Sequence, residues 1–420
     1  MKKKTFKVVL SSLILGSILV LSSCKKEETA PETKSTGLST KTGLITKNET
    51  WSSDSVYFLG GKVVVPAGVT LTIQPGTIIK GKQGTGSLAS ALIIAQGGKL
   101  IAEGTAEKPI IFTSELDNIK AGETFGTNLQ KTDNQKWGGL IILGNAPVSA
   151  ATGDAKAQIE GIPATESYGK YGGDNVADNS GSLKYVSIRH GGALIGEGNE
   201  INALTLGGVG NGTTIENIEV YATLDDGVEF FGGTVNCKNL LVYYQGDDGI
   251  DLDQNYAGTV DGFMIVHGDG IGTDEGLELD GPENVTYTTG MFTLKNGICR
   301  GEGTEGTGAD IKSKAQGTLE NISFEYANGL KKQVKVSVSF DATNCASKTD
   351  AFSNYLNRKL VFTNNKYNTN KVTAYNTTTS CTDGLKSAQT ELDKITEGTG
   401  ATIIASSFAW TCAGKRGEVK

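Results

Sequence analysis

The sequence has few of the residues on which zinc sites and helical folds depend. It contains two histidines, His190 and His267, and no Cys-x-x-Cys pair, so the usual zinc-binding patterns are excluded. Amphipathic helix patterns are scarce; the clearest covers residues 385–395, with Asp383 as its expected N-cap. The apolar run at residues 8–21 is shorter than the roughly 20 residues that a membrane-spanning helix needs.

Proline is also rare, with 7 residues, whereas glycine is abundant, with 57 of 420 residues. The usual share of glycine is about 7%, roughly half of what is found here. Many turns, few breaks in pairing and short apolar runs from residue 60 onward predict a chain of short β-strands.

The start of the chain is typical of a secretory signal. Four lysines precede the apolar run, and residues 21–24 read Leu-Ser-Ser-Cys, which resembles the bacterial lipobox. This resemblance implies that residues 1–23 are removed and that Cys24 is lipidated. Residues 25–28, two lysines and two glutamates, resemble the export signal of Bacteroidetes-type surface lipoproteins. Residues 24–48 are predicted to form a flexible tether, because they are rich in Thr, Ser, Lys and Glu.

The chain that follows the signal is acidic. It holds 35 basic and 46 acidic residues, a net charge of −11, because the signal contains four of the 39 basic residues and none of the acidic ones. Binding to phosphates needs a basic face, so a nucleic-acid partner is not expected.

One short sequence phrase occurs three times. It consists of two acidic residues and a glycine, and it leads into an alternation of apolar and acidic residues that is typical of a strand. Its copies lie at residues 224–229, 246–251 and 273–278. A second phrase, with a central asparagine, lies at residues 216–218, 238–240 and 320–322. Both phrases share a 22-residue step between their first two copies. A common period of this length predicts a right-handed parallel β-helix over residues 49–330, in which each coil has about three strands.

Stacked coils would align the outward side chains of the first phrase. The alternation places apolar side chains inward and the carboxylates between them outward, in an exposed acidic column. Extended by register, this column consists of Thr205, Glu229, Asp251, Glu278 and Asp310. A second outward column consists of Gly207, Phe231, Asp253, Asp280 and Lys312.

Such columns require a cation or a ligand, because adjacent strands lie about 4.8 Å apart and like charges opposite one another are destabilising. Ca²⁺ is the expected cation, since it takes about six to eight oxygen ligands. Its predicted ligands are Glu229, Asp251, Asp253, Glu278 and Asp280.

Two polar stretches interrupt the strand pattern. Residues 114–136 are predicted to be a surface loop, and residues 150–181 a longer excursion of the kind that often carries binding residues. In the excursion, Tyr168, Tyr171 and Asp174 suit the binding of a sugar ring. The alternative is a solvated loop packed on the flank of the β-helix.

Residues 331–420 are predicted to be the C-terminal end and cap of the β-helix, with a short helix. One disulfide is expected among Cys345, Cys381 and Cys412, and the sequence leaves its partners open. Cys237, within a strand-like stretch, is expected to be a buried small apolar residue.

The β-helix region resembles a known group of proteins. Residues 137–144, 159–162, 185–192, 199–210 and 225–233 together resemble bacterial surface β-helix lipoproteins of the pectate-lyase-like superfamily. The resemblance covers roughly residues 55–330. It implies a parallel β-helix anchored by lipid in the outer membrane and exposed at the cell surface, and it implies no particular activity.

A second resemblance is to the polygalacturonase family, through residues 224–227, 246–250, 267–272 and 310–313. It implies an inverting hydrolase in which Asp226 and either Asp247 or Asp248 act as acid and base, with carboxyl groups about 6.5 to 9.5 Å apart. The chain departs from the family in three motifs: Leu-Asp-Asp replaces Asn-Thr-Asp, His267 precedes its glycine, and Asp310 replaces an arginine. A lyase would instead need Ca²⁺ and a base.

Three interpretations of the repeated phrase therefore stay open. Asp-Asp-Gly forms a structural turn, or it binds a cation, or it belongs to an enzyme. The preferred function is a surface-anchored, non-catalytic module that presents its acidic, tyrosine-bearing flank to a glycan or to an outer-membrane protein. The alternative is a polysaccharide-degrading hydrolase or lyase.

Overall fold

The structure is a computed structural model that describes residues 37–196, 199–301, 306–326, 334–367, 372–376, 380–401 and 405–419. The predicted signal, Cys24 and the first part of the predicted tether lie outside the described residues. The described chain is a right-handed parallel β-helix with a small helical C-terminal part, as the sequence predicts. No helix within the described ranges has both the length and the apolar character to cross a membrane.

The elements follow one another in a regular succession of strands. The strands are β1 (Gly37–Leu44), β2 (Glu49–Trp51), β3 (Ser55–Val65), β4 (Thr70–Ile73), β5 (Ile78–Gly81), β6 (Ala91–Ile94), β7 (Lys99–Glu103), β8 (Ile110–Ser114), β9 (Leu140–Leu143), β10 (Ala157–Gln158), β11 (Lys170–Tyr171), β12 (Gly181–Arg189), β13 (Leu194–Gly196), β14 (Asn199–Glu200), β15 (Leu204–Gly207), β16 (Thr214–Thr223), β17 (Val228–Phe231), β18 (Asn236–Gln245), β19 (Ile250–Asp253), β20 (Thr259–His267), β21 (Glu275–Leu279), β22 (Phe292–Gly301), β23 (Thr307–Ile311), β24 (Gly317–Tyr326), β25 (Val334–Ser337), β26 (Leu360–Thr363), β27 (Lys366–Tyr367) and β28 (Val372–Tyr375). The α-helices are α1 (Ala351–Leu356), α2 (Thr382–Leu392) and α3 (Cys412–Lys415).

Each central coil contains one long and one short strand. The short strands β6, β9, β15, β17, β19, β21, β23, β25 and β28 pair in parallel and form one side of the β-helix, which we name the acid face. The long strands β12, β16, β18, β20, β22 and β24 bend in the middle and form the other two sides. Their first halves form the side that we name the first face.

The bend in the long strands depends on residues with positive φ. Asn217, Asn239, Asn296 and Asn321 have φ between 56° and 57°, which asparagine tolerates better than most residues. Their side chains also bond between coils: the Asn239 amide donates to the Asn217 amide oxygen at 3.0 Å, and Asn321 donates to Asn296 at 2.7 Å. The second repeated phrase therefore marks a corner within a strand, not the beginning of a strand.

The register predicted from the repeats is confirmed along the acid face. Thr205 pairs with Glu229, Glu229 with Asp251, Asp251 with Glu278, and Glu278 with Asp310. The apolar residues between them point into the tube, where Leu206, Phe230, Leu252, Leu279 and Ile311 are fully buried in one continuous core. This stack holds the acidic side chains of neighbouring coils at a fixed spacing.

The β-helix begins earlier than predicted. β1 starts at Gly37, inside the expected tether, and pairs in parallel with β3. Ile45 is buried in the main core. The prediction of a flexible tether as far as residue 48 is thus wrong for residues 37–48, because a polar composition does not prevent a strand from adding to an existing sheet edge.

The C-terminal part continues the solenoid and then covers its end. β25 and β28 extend the acid face, while α1 and α2 supply buried residues such as Phe352 and Leu392 to the main core. A disulfide joins Cys345 to Cys381, and Cys381 is the N-cap residue of α2. Asp383 lies in the first turn of that helix, one residue inside its start and not at the predicted cap.

The last residues return to the middle of the β-helix. Glu219 on β16 is fully buried and accepts hydrogen bonds from the backbone amides of Cys412 at 2.8 Å and Ala413 at 2.9 Å. The guanidinium of Arg189 lies 3.9 Å from the same carboxylate. We name this set of contacts the C-terminal clasp. It joins residues almost 200 positions apart through one buried carboxylate.

We expect Glu219→Gln to destabilise the protein by about 3 kcal/mol, because the Arg189 guanidinium then stays buried without its counter-charge. The measurement is the free energy of unfolding together with hydrogen exchange at the amides of Cys412 and Ala413, which should lose protection. Glu216→Gln, on the same strand but partly exposed, is the control and should cost less than about 1 kcal/mol. Equal costs in the two variants would contradict the clasp.

Candidate cation site on the acid face

The second acidic residue of the repeated phrase connects each coil to the next. A side-chain oxygen of Asp226 accepts a hydrogen bond from the backbone amide of Asp248 at 2.9 Å, and Asp248 does the same for Glu275 at 2.6 Å. The Asp248 amide lies between β18 and β19, and the Glu275 amide belongs to the first residue of β21. These two aspartates therefore have a structural role in stacking the coils.

Three acidic side chains converge on the part of the acid face that is formed by β17 and β19, which we name its upper half. One carboxylate oxygen from each of Asp226, Glu229 and Asp251 lies within 4.8 Å of the other two. All three residues are buried, with exposed fractions of 6%, 6% and 7%. We name them the buried trio. The predicted exposure of Glu229 and Asp251 is therefore wrong, although their direction away from the core is right.

The excursion at residues 150–181 helps to explain the burial. Tyr171 on β11 packs against Phe231, with ring centroids 5.8 Å apart, and its hydroxyl donates to the Gln254 side chain at 3.1 Å. The excursion thus folds back against the strands that carry the trio. A two-residue alternation predicts which way a side chain points, but it does not predict what another segment places over it.

Burial dominates the electrostatics of the trio. It raises the pKa of Asp226, Glu229 and Asp251 well above the ordinary carboxyl range, and the neighbouring carboxylates raise these pKa values further. Among the residues that the structure describes, no lysine or arginine forms an ion pair with any of the three. Three carboxyl groups are therefore gathered where water is largely excluded and where the ionised form of each is disfavoured.

Two oxygens at the trio have no hydrogen-bond partner within the described residues. They are Oδ1 of Asp251 and Oδ1 of Asn202, and both are buried. The Asn202 amide group donates to Glu229, which places its side chain beside the trio. The three carboxylates form an all-oxygen donor set, which suits a hard divalent cation such as Ca²⁺. The residues present therefore fit the expected cation.

In the lower half of the acid face, formed by β21, β23 and β25, lysine side chains balance the acidic residues. Lys312 pairs with Glu278 and lies 3.6 Å from Asp280, while Lys335 pairs with Glu275 and lies 3.0 Å from Asp310. Glu278 and Asp280, both predicted as metal ligands, thus have a lysine as counter-charge. Glu278 accordingly has a lowered pKa: burial alone would raise it, but hydrogen bonds from Asp248 and Lys312 outweigh that effect.

Asp253 is the fifth predicted metal ligand and does not belong to the buried trio, although its charge raises the pKa of Asp251 and of Glu229. It lines an open cleft with Asp280 and Glu283, and burial raises its pKa to about 8, helped by the charge of Asp280.

On the first face, the same fold balances stacked charges with side chains of opposite sign. Stacked residues in its strands alternate strictly in sign through seven coils. They are Glu103, Lys184, Glu216, Lys238, Asp261, Lys295 and Glu320. Sequence reasoning missed this ladder, because only Glu216 and Lys238 are separated by the 22-residue step. The signal that could have shown it is the charged residue at the start of each copy of the second phrase, which is Glu, Lys and Glu in turn. Coil stacking therefore does not require acidic residues to lie opposite one another, as they do on the acid face.

The predicted sugar-binding residues do not form a common surface. Tyr171 is 2% exposed and belongs to a small apolar cluster, so its ring is not available to a ligand. Tyr168 is partly buried against the same cluster, and only Asp174 is exposed. The alternative interpretation, a loop packed on the flank, describes the excursion better.

The expected acid and base of a hydrolase lie close to one another. One carboxylate oxygen from each of Asp225, Asp226 and Asp247 lies within 4.8 Å of the other two. Asp248 and Asp226 are also occupied with backbone amides.

The two histidines are buried. His267 is buried and bonded to Thr273 at 3.0 Å and Tyr326 at 2.9 Å, and burial lowers its pKa to about 3. Burial also lowers the pKa of His190 to about 4, against a backbone hydrogen bond with Asp133 that raises it.

The fold and its acid-lined face define a parallel β-helix protein of the pectate-lyase-like class. The family described as "Pectate-lyase like beta helix domain" matches residues 43–412, and the chain belongs to this family. Neither the curated proteins nor the solved structures that were compared with the chain gave a match. Membership of the family fits a carbohydrate-related function and extends the resemblance into residues 331–412, which the sequence motifs match poorly.

We expect the metal-free protein to lose stability as the pH rises from 6.5 to about 8.5. A carboxyl group whose pKa is higher in the folded state stabilises the protein while it holds its proton, and this contribution is lost as the pH passes the folded pKa. Asp253, with a pKa of about 8, and Glu275, with a pKa of about 7, titrate in this window. Because burial lowers the pKa of both histidines, their contribution makes stability rise with pH, but only below pH 6.5.

The measurement is the unfolding free energy in EDTA at several pH values. Asp253→Asn should flatten the slope, because its carboxyl group no longer titrates. Glu320→Gln, exposed on the first face, should leave the slope unchanged. A stability that rises with pH across this window would show that these carboxyl groups are not held protonated.

Proposed function

We propose that the protein is a lipid-anchored, surface-exposed, non-catalytic glycan-binding module whose acid face holds a structural Ca²⁺ at the buried trio. Cys24 is the proposed lipidation site, and Asp226, Glu229, Asp251 and Asn202 are the proposed cation ligands. The ion would supply the positive charge that the trio lacks and would tie three successive coils together.

One observation carries this proposal: three carboxylates are buried together, and no basic side chain in the described part of the structure pairs with them. Burying such charges is costly unless they are paired or coordinate a metal. The same molecule provides two comparisons, since stacked acids are balanced by opposite charges on the first face and by lysines in the lower half of the acid face. A bound cation is the third way to balance stacked acids, and the oxygen donors of the trio suit it.

The hydrogen bonds of the repeated phrase support the non-catalytic part of the proposal. Asp226 and Asp248 each hold a backbone amide of the next coil, so their carboxylates are fixed in place by the fold itself. A catalytic acid and base instead need to reach a substrate and a water molecule. The burial of Asp226 and Glu229 adds to this argument, because a polysaccharide chain has no access to them.

We expect saturating Ca²⁺ to raise the unfolding free energy, by about 2.7 kcal/mol at a concentration one hundred times the dissociation constant, because the ion binds only the folded protein. Glu229→Gln and Asp251→Asn should abolish the increase. The same variants should be more stable than the wild type in EDTA at pH 8, because each removes one uncompensated charge. The measurement is thermal unfolding with and without Ca²⁺.

Glu320→Gln is the matched control, since it changes the net charge by the same amount on another face, and it should respond to Ca²⁺ like the wild type. An unchanged melting temperature of the wild type in Ca²⁺ would rule out the trio as a cation site.

We further expect binding without turnover when the purified protein is incubated with a panel of acidic and neutral polysaccharides. Binding is measured by retention on immobilised polysaccharide, and turnover by new reducing ends and by unsaturated products. Asp226→Asn, Asp247→Asn and Asp248→Asn are the controls. Product formation that disappears in these variants would replace the proposal with the polysaccharide-degrading enzyme.

A further inference from the structure

A cleft of about 490 Å³ lies at the C-terminal end of the solenoid, far from the buried trio along the stack of coils. It is formed between α1, β26 and the end of α2. Its size falls within the range of roughly 300–1,000 Å³ typical of small-molecule sites. β26 pairs with β24 on one side only, so the cleft lies at the last coil.

Two aromatic rings form part of the cleft wall. Tyr355 and Phe362 pack at 64° with centroids 6.1 Å apart, and both side chains are only partly buried. The Tyr355 hydroxyl donates to the backbone oxygen of Glu391 at 3.3 Å, which fixes the ring against α2. A partly exposed tyrosine presents an apolar face beside a polar group, and this combination suits the mixed surface of a sugar ring.

Two cationic side chains line the same cleft. Arg358 is exposed and, within the described residues, makes no ion pair. Lys394 follows the C-terminus of α2 and is held by Glu391 at 2.6 Å. In a chain whose acidic residues outnumber its basic ones, a cleft with an unpaired guanidinium favours an anionic ligand. The planar guanidinium can bind a carboxylate through two parallel hydrogen bonds.

The backbone of Arg358 adds an independent observation. The residue follows Asn357, the C-cap of α1, and has a φ of +57°. Helices commonly place glycine at this position, because a side chain there is unfavourable. Strained backbone that persists in a fold points to a function for the side chain. An arginine stands in the place of glycine here, and it lines the cleft.

We propose that this end cleft binds a carboxylate-bearing oligosaccharide. Arg358 binds the carboxylate, Lys394 provides a second positive charge, and the rings of Tyr355 and Phe362 contact the apolar face of a sugar unit. The acid face would repel such a ligand, so a separate site for it is required. The proposal rests on the proposed glycan-binding function and is independent of the cation site.

The test is calorimetric titration, in EDTA, of the full mature chain with uronate tetrasaccharides, namely tetragalacturonate and a hyaluronan tetrasaccharide. Neutral chitotetraose is the control ligand. We expect a uronate tetrasaccharide to bind more tightly than chitotetraose and its affinity to fall with rising salt. Arg358→Gly and Lys394→Gln should each weaken binding by about tenfold or more. Lys386→Gln, on the outside of the same helix and paired with Asp383, should bind like the wild type.

Thermal unfolding separates this site from a folding defect. Arg358→Gly should keep or raise the melting temperature while it loses affinity, because glycine relieves the strained backbone. Equal affinity for chitotetraose, or undiminished affinity in Arg358→Gly and Lys394→Gln, would overturn the site. If binding is lost in Glu229→Gln instead, the end cleft is overturned and the proposed function stands. If no polysaccharide of any kind binds, both are overturned.

Discussion

Coil stacking imposes one constraint on this molecule: whatever side chain points outward from one coil lies about 4.8 Å from its counterpart on the next. Charge therefore has to be balanced along the solenoid axis rather than along the sequence. The first face meets this constraint with alternating signs, and the lower acid face meets it with Lys312 and Lys335. In the upper half of the acid face, the described residues balance Asp226, Glu229 and Asp251 neither with alternating signs nor with a lysine.

The register of the coils could be predicted because it is written directly in the repeats. A 22-residue step, combined with an alternation of period two, places Glu229 opposite Asp251 without further information. Burial could not be predicted in the same way, because it depends on the excursion that brings Tyr171 against Phe231. That contact joins segments 60 residues apart with no shared period, so no local pattern encodes it. The register could have predicted the lysine partner of Glu278 and Asp280, because Lys312 belongs to the second outward column.

The C-terminal part was harder to predict for a related reason. β25, β26 and β28 continue the coils, but helices and loops separate them, so the repeat period is lost although the pairing is kept. The disulfide between Cys345 and Cys381 and the clasp at Glu219 are contacts of single residues, which leave no periodic trace. Together they fix the cap and the last residues to a solenoid that could otherwise fray at its end.

The middle coils and the last coil of the solenoid arrange charge differently, and this gives the molecule a polarity. At the middle coils, acidic groups are buried beneath an excursion, where the proposed cation would strengthen the scaffold and be hidden from large ligands. At the last coil, aromatic and basic groups stand open in a cleft, where rigidity of the scaffold would fix their positions. A solenoid suits this division, because each coil contacts only its neighbours, and a stabilising site can therefore be placed several coils away from a binding site without competing for the same surface.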